Sequence, residues 1–158
     1  MKHLPKHLRP RWRYLAVGIE SWPDADFDRG TFQRQLWYAA QNLVGDVGSA
    51  AVDLTVLSFS IAAGRGGAIV RVRRGEVERA RAVLATLARV DGTDLGLCVR
   101  GVSGTVRACE EKYMGRRPES PQQRDVVFRD TARTAHVGPR RADVATDNGF
   151  AGATTLDI

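Results

Sequence analysis

Residues 11–20 read RWRYLAVGIE, and their side chains alternate between branched aliphatic residues and a second, mixed set. The two sets are Leu15, Val17 and Ile19 on one side, and Trp12, Tyr14, Ala16 and Gly18 on the other. Alternation with a period of two is typical of a β-strand that buries one face. The segment therefore predicts a first strand that turns its aromatic side chains away from the main core.

Beyond this strand the sequence predicts a helix and then a β-hairpin. Apolar residues recur at helical spacing between Phe32 and Leu43, which predicts a helix over residues 28–44. Residues 50–60 and 67–74 are rich in β-formers, and the glycines between them permit the positive φ angles of a hairpin connection.

A second helix and a fourth strand are predicted next. Acidic Glu76 and Glu78 suit the start of a helix, and Arg89 followed by Gly92 suits its end. Residues 93–102 alternate again and predict the fourth strand.

A short third helix completes the predicted domain, because residues 103–115 offer Ser103 or Thr105 as its N-cap. The order βαββαβ plus this helix predicts an α+β fold. We expect a ferredoxin-like, RNA-recognition-like α/β sandwich with a four-stranded antiparallel sheet. The predicted regions are a basic N-terminal arm over residues 1–10, a ferredoxin-like RNA-binding domain over residues 11–115, and a largely disordered tail over residues 116–158.

Charge favours an anionic partner. The 158 residues include 24 Lys and Arg against 18 Asp and Glu, a net charge of +6 with a pI near 10.0. Residues 1–13 hold five basic and no acidic side chains, whereas residues 14–115 hold twelve of each. The basic start is either a solvated terminus or an arm that lies along phosphates.

Several classes of protein are disfavoured. The basic start is followed by no apolar run typical of a signal peptide, so we expect a cytoplasmic protein without a membrane partner. Cys98 and Cys109 are expected to be free thiols. Residues 24–28 have the alternating carboxylates that begin a calcium-binding loop. However, Arg29 occupies the position that requires Gly and Gln35 the position that requires Glu, so no calcium site is expected. No zinc spacing or catalytic grouping is present, so we expect no cofactor bound by the protein itself.

Two features point to RNA. Residues 101–104 match a GXXG loop between a strand and a helix start, where backbone N–H groups either meet an anion or simply cap the helix. The third strand has the frame of an RNA-binding strand motif but lacks its aromatic residues. Strand parity sends Arg71, Arg73 and Arg100 to the face away from the helices, together with the aromatics of the first strand.

The same open face also carries an opposing expectation. Leu57 and Phe59 are expected on it, and a sheet face that is half apolar seldom stays exposed to water. The third helix, the tail or a second subunit would then cover it.

Residues 8–15, LRPRWRYL, and residues 101–105, GVSGT, together resemble the archaeal ribonuclease P protein component 2 family. The resemblance covers residues 4–114. It implies a non-catalytic protein subunit of the ribonucleoprotein that removes the 5′ leader from precursor tRNA. The extra segment 116–158 and the scarcity of Lys, with Lys112 alone in the body, depart from the family.

The resemblance also implies the partners and the cofactor. The RNA subunit carries out an Mg²⁺-dependent hydrolysis, and this protein, with ribonuclease P protein component 3, stabilises the catalytic RNA. Other protein subunits, self-association in a heterotetramer and indirect contact with precursor tRNA are implied as well.

Our hypothesis is that arginines gathered by the fold neutralise RNA phosphates, together with the start of the third helix. The candidate RNA-binding residues are Arg9, Arg11, Arg13, Tyr14, Arg71, Arg73, Arg100, Ser103, Gly104, Thr105 and Arg107. Two alternatives stay open: an ACT-like regulatory module that binds a small molecule, and a structural adaptor that contacts proteins only.

Overall fold

The alternating segment forms β1 (Trp12–Ser21), the central strand of an antiparallel sheet in this computed structural model. The structure describes residues 3–115, 122–138, 141–154 and 156–158. In this sheet the order is β2 (Thr55–Ala62), β3 (Arg65–Arg73), β1, β5 (Thr93–Ser103) and β4 (Arg89–Val90). The predicted four-stranded sheet is therefore wrong, because a two-residue fifth strand lies at one edge.

The added strand comes from the predicted end of the second helix. Helix α2 (Val77–Thr86) ends earlier than expected. The turn that follows β4 contains Asp91 at φ 49° and Gly92 at φ 78°, and it leads directly into β5. Gly92 thus serves a hairpin turn and does not close a helix.

Helix α1 (Arg29–Val52) is longer than predicted. Its N-cap is Asp28, whose carboxylate accepts a hydrogen bond from the Thr31 N–H at 2.7 Å. Gly45 adopts φ 70° and ψ 177° inside the helix, a conformation that favours glycine, and so divides it into two stretches. Residues 50–52, predicted as strand, belong to the second stretch.

The predicted hairpin between β2 and β3 is present. Ala63 and Gly64 have φ angles of 49° and 73° and form a two-residue turn. Such turns match the twist of antiparallel strands.

The main core lies between one sheet face and the helices α1 and α2. Leu15, Val17 and Ile19 of β1 are buried there, which confirms the predicted parity of this strand. Phe32 and Leu36 of α1 pack into the same core and are fully buried.

Strand β2 departs from the predicted alternation. Its pairing with β3 shifts between Val56 and Ser58, so one extra residue is inserted there. The shift turns Phe59 onto the core, where its ring centre lies 5.4 Å from that of Phe32. The expectation of Phe59 on the opposite face was wrong, because strand parity cannot be extended through a bulge.

Residues 118–158 belong to a second compact unit, separate from Met1–Arg117. The structure differs from the predicted disordered tail, because the described part holds four antiparallel strands paired in sequence order. They are β6 (Gln122–Phe128), β7 (Thr131–Val137), β8 (Arg141–Thr146) and β9 (Gly149–Thr154). Residues 116–121 of the predicted tail lie outside the described residues.

A small apolar cluster holds this second unit together. Ala135, Ala142 and Val144 are almost fully buried, with Phe128 and Ala153 at the margin. The hairpin connections at residues 129–130 and 147–148 use turn-forming Asp and Asn, a signal that the sequence analysis overlooked.

Within the described residues, no helix is long and apolar enough to span a membrane.

Candidate nucleic-acid interface

The first part of the interface is a cluster built on Trp12, which we call the Trp12 cluster. It comprises Trp12, Asp53, Thr55, Arg71 and Arg73. Trp12 of β1 lies opposite Arg73 of β3, two pairs away from the match of Tyr14 with Arg71. The guanidinium carbons of Arg71 and Arg73 lie 4.0 and 4.4 Å from the centre of the Trp12 ring. The indole thus holds two cations near one another.

The two arginines of the cluster repel each other. Their guanidinium carbons are at most 8.4 Å apart, which is the sum of their two distances to the ring centre. At an effective dielectric constant of about 20, like charges at that separation repel by about 2 kcal/mol. Cation–π contact offsets this by about 0.5–1 kcal/mol at an exposed site and by more where the arginine is partly buried, as both are here.

Two neighbours on the β2 side complete the cluster. The Asp53 carboxylate lies 3.2 Å from Nη2 of Arg73, and both side chains are more than one third exposed. Nη2 of Arg71 donates to the Thr55 hydroxyl at 3.3 Å. The Nε of Arg71 is buried and has no hydrogen-bond partner among the described residues.

The middle of the same face is covered. Helix α3 (Val106–Cys109) continues into a π-helical turn (Glu110–Met114), and together they pack on the sheet. The Tyr113 ring occupies the space that a Cβ on Gly101 would take, and Met114 Cε lies 2.7 Å from where a Cβ on Gly67 would be. Of the predicted coverings, the third helix is the one that the structure places here.

Tyr14 and Cys109 lie beneath this cover. Tyr14 is half-buried and packs with Ala16, Ile69 and Val106. Burial raises the pKa of the Cys109 thiol, with a smaller contribution from the Glu110 carboxylate. Cys109 therefore stays protonated as part of the packing, and Tyr14 is less accessible to RNA than its strand parity suggested.

Arg100 lies at the other end of the face. The pairing of β1 with β5 shifts between Ala16 and Val17, and Arg100 falls within this irregularity. A Cβ on Gly18 would lie 2.7 Å from Arg100 Nε, so the exposed side chain crosses that glycine. Tyr14, the β1 partner of Arg71, is four residues from Gly18 along the strand, a span of about 13 Å.

The turn after β5 contains the N-cap of α3. The Thr105 hydroxyl accepts from the Ala108 N–H at 3.2 Å and is the N-cap of α3. This favours the capping interpretation of the GVSGT segment, because the hydroxyl already satisfies one free N–H group. Ser103 is half-buried, whereas Gly104 is exposed.

Arg13 approaches the turn from β1. Its side chain has the same strand parity as Leu15 and therefore points to the opposite side of the sheet from Arg71. This differs from the hypothesis that the fold gathers these arginines together. The Nη1 of Arg13 donates to the Trp12 carbonyl at 3.3 Å and lies 3.6 Å from the position of a Cβ on Gly104. The structure thus places this arginine beside the turn after β5.

The remaining candidates are exposed. Arg9 donates from Nε to the Leu4 carbonyl at 2.9 Å. Arg11 is exposed just before β1, and its carbonyl accepts from the Arg74 N–H. Arg107 pairs with Glu111 at 2.7 Å on the outer side of α3, where both side chains are mostly exposed.

Seven of the eleven candidate residues thus occupy three places: the Trp12 cluster, the turn beside Arg13, and the Gly18 end with Arg100. Tyr14 lies beneath the third helix, and Arg9, Arg11 and Arg107 lie outside these places. Sequence reasoning missed Asp53 and Thr55 as neighbours of the arginines. Thr55 lies directly opposite Arg71 in the pairing of β2 with β3, so counting residue pairs outward from the hairpin turn with the right register would have identified it. Asp53 has φ 52°, and no sequence pattern that we used identified it.

The described residues contain no group of three or more His, Cys, Asp or Glu side chains that could hold a metal ion. The arrangement is suited to binding anions through guanidinium groups.

A comparison with protein-family models finds a match to the greater part of this chain. The model of the Rpp14/Pop5 family matches residues 13–114. This span covers more than half of the chain and lies within the first unit.

Similar proteins occur in archaea. Ribonuclease P protein component 2 of Natronomonas pharaonis is 63% identical over 100% of this chain and 98% of its own length. The protein of the same name from Haloarcula marismortui is 61% identical over 100% of this chain and 99% of its own length. That of Methanosarcina acetivorans is 39% identical over 72% of this chain and 82% of its own length.

Among solved structures, a chain in the cryo-EM structure of yeast ribonuclease MRP is similar with a TM-score of 0.46 and 19% identity. The likeness covers 60% of this chain and 75% of that chain.

Proposed function

Because this chain belongs to the Rpp14/Pop5 family, we propose that it is a protein subunit of ribonuclease P, the ribonucleoprotein that removes the 5′ leader from precursor tRNA. The observation that carries the proposal is the 63% identity, over the full length of this chain, with a protein named ribonuclease P protein component 2. The ACT-like alternative gains no support from these relatives.

In this function the protein binds and stabilises the catalytic RNA. RNA strands that approach closely repel each other, and guanidinium groups neutralise phosphates with paired hydrogen bonds. The Trp12 cluster supplies two arginines in a fixed arrangement. Arg13 and Arg100 supply two more positions on the same unit.

Hydrolysis belongs to the RNA subunit in this proposal. Mg²⁺ is held by that RNA, and the protein contributes no catalytic side chain. Its effect on cleavage then arises from holding the folded RNA together.

We also propose that the first unit is a ferredoxin-like sandwich extended by one short strand. The strand order supports this proposal, because β1 pairs with both β3 and β5 and β2 lies outside β3. Protein component 3, a second copy of this chain and other protein subunits are its proposed protein partners, and the cytoplasm is its proposed location.

Salt-dependent binding tests the proposal. The wild-type protein is titrated with ribonuclease P RNA at several salt concentrations, alongside the double variant Arg71→Gln/Arg73→Gln. If each arginine neutralises one phosphate, losing both lowers the slope of log affinity against log salt by about 1.4–1.8. Affinity should fall on the order of tenfold or more at low salt.

The matched control is Arg79→Gln/Arg81→Gln. These arginines are exposed on α2, across the sheet from the Trp12 cluster, and pair with Glu76 and Glu78. This control removes the same total charge and should leave the slope near its wild-type value. A wild-type slope near zero would eliminate the electrostatic function.

A further inference from the structure

We infer that Asp53 is a displaceable counter-ion, whose place beside Arg73 is taken by an RNA phosphate when the protein binds RNA. Trp12 is the positioning residue that keeps Arg71 and Arg73 together during the exchange. This inference rests on the proposed function and names the regulation of the same site.

The contact between Asp53 and Arg73 is suited to exchange. A single carboxylate oxygen lies 3.2 Å from one terminal nitrogen, longer than the 2.7–2.9 Å or so typical of strong charge-assisted bonds. Side-chain exposures of 38% for Arg73 and 36% for Asp53 leave the pair open to solvent. A phosphate can therefore reach the guanidinium without any rearrangement of the sheet.

The guanidinium also has donors left for a phosphate. An arginine has five N–H donors arranged as a planar fork. In the described structure the Arg73 fork contacts one oxygen of Asp53 and the ring of Trp12. Phosphate oxygens can accept two parallel bonds from such a fork, whereas Asp53 supplies a single contact here, so phosphate can replace it with a gain of one bond.

The position of Asp53 is set by the backbone. Asp53 ends α1 in a left-handed conformation with φ 52°, and its N–H donates to the Ser49 carbonyl at 3.0 Å. These constraints hold the carboxylate beside β3 independently of its charge. Removing the charge while keeping the conformation is therefore a clean test.

The role of Trp12 follows from the repulsion between the arginines. Arg71 is also held by the Thr55 hydroxyl and Arg73 by the Asp53 carboxylate, so without the ring a phosphate that displaced Asp53 would leave Arg73 free to move away from Arg71. With the ring, both stay within 4.4 Å of one ring centre. The site therefore presents two cations to RNA at most 8.4 Å apart.

The principal experiment compares Asp53→Asn with Asp46→Asn, using ribonuclease P RNA as the probe. Asn tolerates the left-handed conformation of residue 53. Asp46 is exposed on the same helix, so its variant has the same change in net charge. An exposed ion pair is worth little, so Asp53→Asn should bind RNA about two- to fivefold more tightly than wild type, with a smaller gain for Asp46→Asn.

A double variant shows whether the gain is local. In the Arg73→Gln background, Asp53→Asn should give no more gain than Asp46→Asn, because the exchange partner is missing. Equal gains for both Asn variants, or a gain that persists without Arg73, would overturn the inference. Asp53→Gly, which also permits positive φ, repeats the test if Asp53→Asn proves unstable.

Trp12→Leu and Trp12→Phe test the positioning role. Leu should weaken RNA binding and lower the salt slope, whereas Phe should restore most of both because it keeps an aromatic face. Wild-type binding and slope in Trp12→Leu would refute the role. If wild-type protein shows no salt-dependent RNA binding, the proposed function itself fails, which is distinct from failure of the Asp53 exchange.

Discussion

The two units of this chain are stabilised in different ways. The first packs two helices on one face of a five-stranded sheet and a short helical segment on the other, whereas the described part of the second is four strands around a mostly small-residue cluster. Their charges differ too: residues 1–117 carry nineteen basic and twelve acidic side chains, and residues 118–158 carry five and six.

The contrast teaches where the function is concentrated. The family match and every candidate RNA-binding residue fall within the first unit, which also carries the basic surplus. The second unit has no charge excess that would attract a polyanion. We therefore expect changes in the first unit to affect both stability and RNA binding, and changes in the second to affect mainly its own folding.

The largest expected effect comes from Phe32→Ala. Phe32 is fully buried between α1 and the sheet, and its loss should lower the free energy of unfolding of the first unit by about 3–5 kcal/mol. Chemical unfolding followed by amide NMR signals from each unit would measure it. Phe128→Ala in the second unit is the companion variant. If Phe128→Ala lowers the free energy of unfolding of both units equally, the two units do not unfold independently.

Gly101→Val should have the next largest effect. The Tyr113 ring occupies the space of the new side chain, so the substitution should destabilise the first unit by about 1–3 kcal/mol. Gly152→Val is the matched control in the second unit, since nothing lies within 4 Å of an added Cβ there. Urea midpoints measure both. Tyr113→Ala should relieve most of the cost of Gly101→Val, and an unrelieved loss would count against this packing.

Asp28→Asn should produce a smaller, pH-dependent effect. The Thr31 backbone N–H bond holds the pKa of the Asp28 carboxyl below its ordinary value of 3.8. A lowered pKa means that this carboxylate stabilises the folded state above pH 3.8 and that the contribution is lost as pH falls through the lower folded value.

Melting curves between neutral pH and pH 2 test this prediction. Asp28→Asn should remove the part of the acid-induced fall in melting temperature that arises from the α1 N-cap, a change of no more than a few degrees. In the second unit, hydrogen bonds from the Thr154 side chain and backbone likewise lower the pKa of Asp157. Asp157→Asn should therefore act on the second unit alone, and an effect on α1 would contradict the separation.

The smallest effect is expected from deleting residues 118–158. A segment that adds no phosphate contact leaves the salt slope unchanged, so affinity for ribonuclease P RNA should stay within about twofold of wild type. Filter binding at several salt concentrations would measure it, with circular dichroism to verify folding. A tenfold loss would show that the second unit contacts RNA and would contradict the expectation that RNA binding is confined to the first unit.

Local patterns predicted much of the first unit. The alternation in β1, the glycine turn at residue 64 and the start of α1 near residue 28 each depend on residues close together in sequence. The α1 extension beyond Gly45 was missed because residues 50–52 run directly into a stretch rich in β-formers and were grouped with it, although two of the three are alanines, which favour a helix. The second unit was missed because its strands are short and its apolar residues small.

The candidate site was predictable only in part. Strand parity placed Arg71 and Arg73 on one face, but pairwise distances to Trp12 require the folded register. Parity failed for Phe59, which follows a β-irregularity. It assigned Arg100 to the open face but not to a point along β1, because Arg100 occupies an irregularity in the pairing with that strand. The cover by Tyr113 depends on how a short helix returns over Gly101, which no spacing rule specifies.

The two margins of the five-stranded sheet are protected to different degrees against pairing with another strand. On one side β2 is interrupted near Val56 and Ser58, and on the other β4 has only two residues. Interruptions and short outer strands discourage the backbone pairing that leads to sheet fusion and aggregation. At the β2 margin such pairing is accordingly disfavoured, whereas β5 beyond Asp94 has no strand on its outer side among the described residues, so an added strand would pair there.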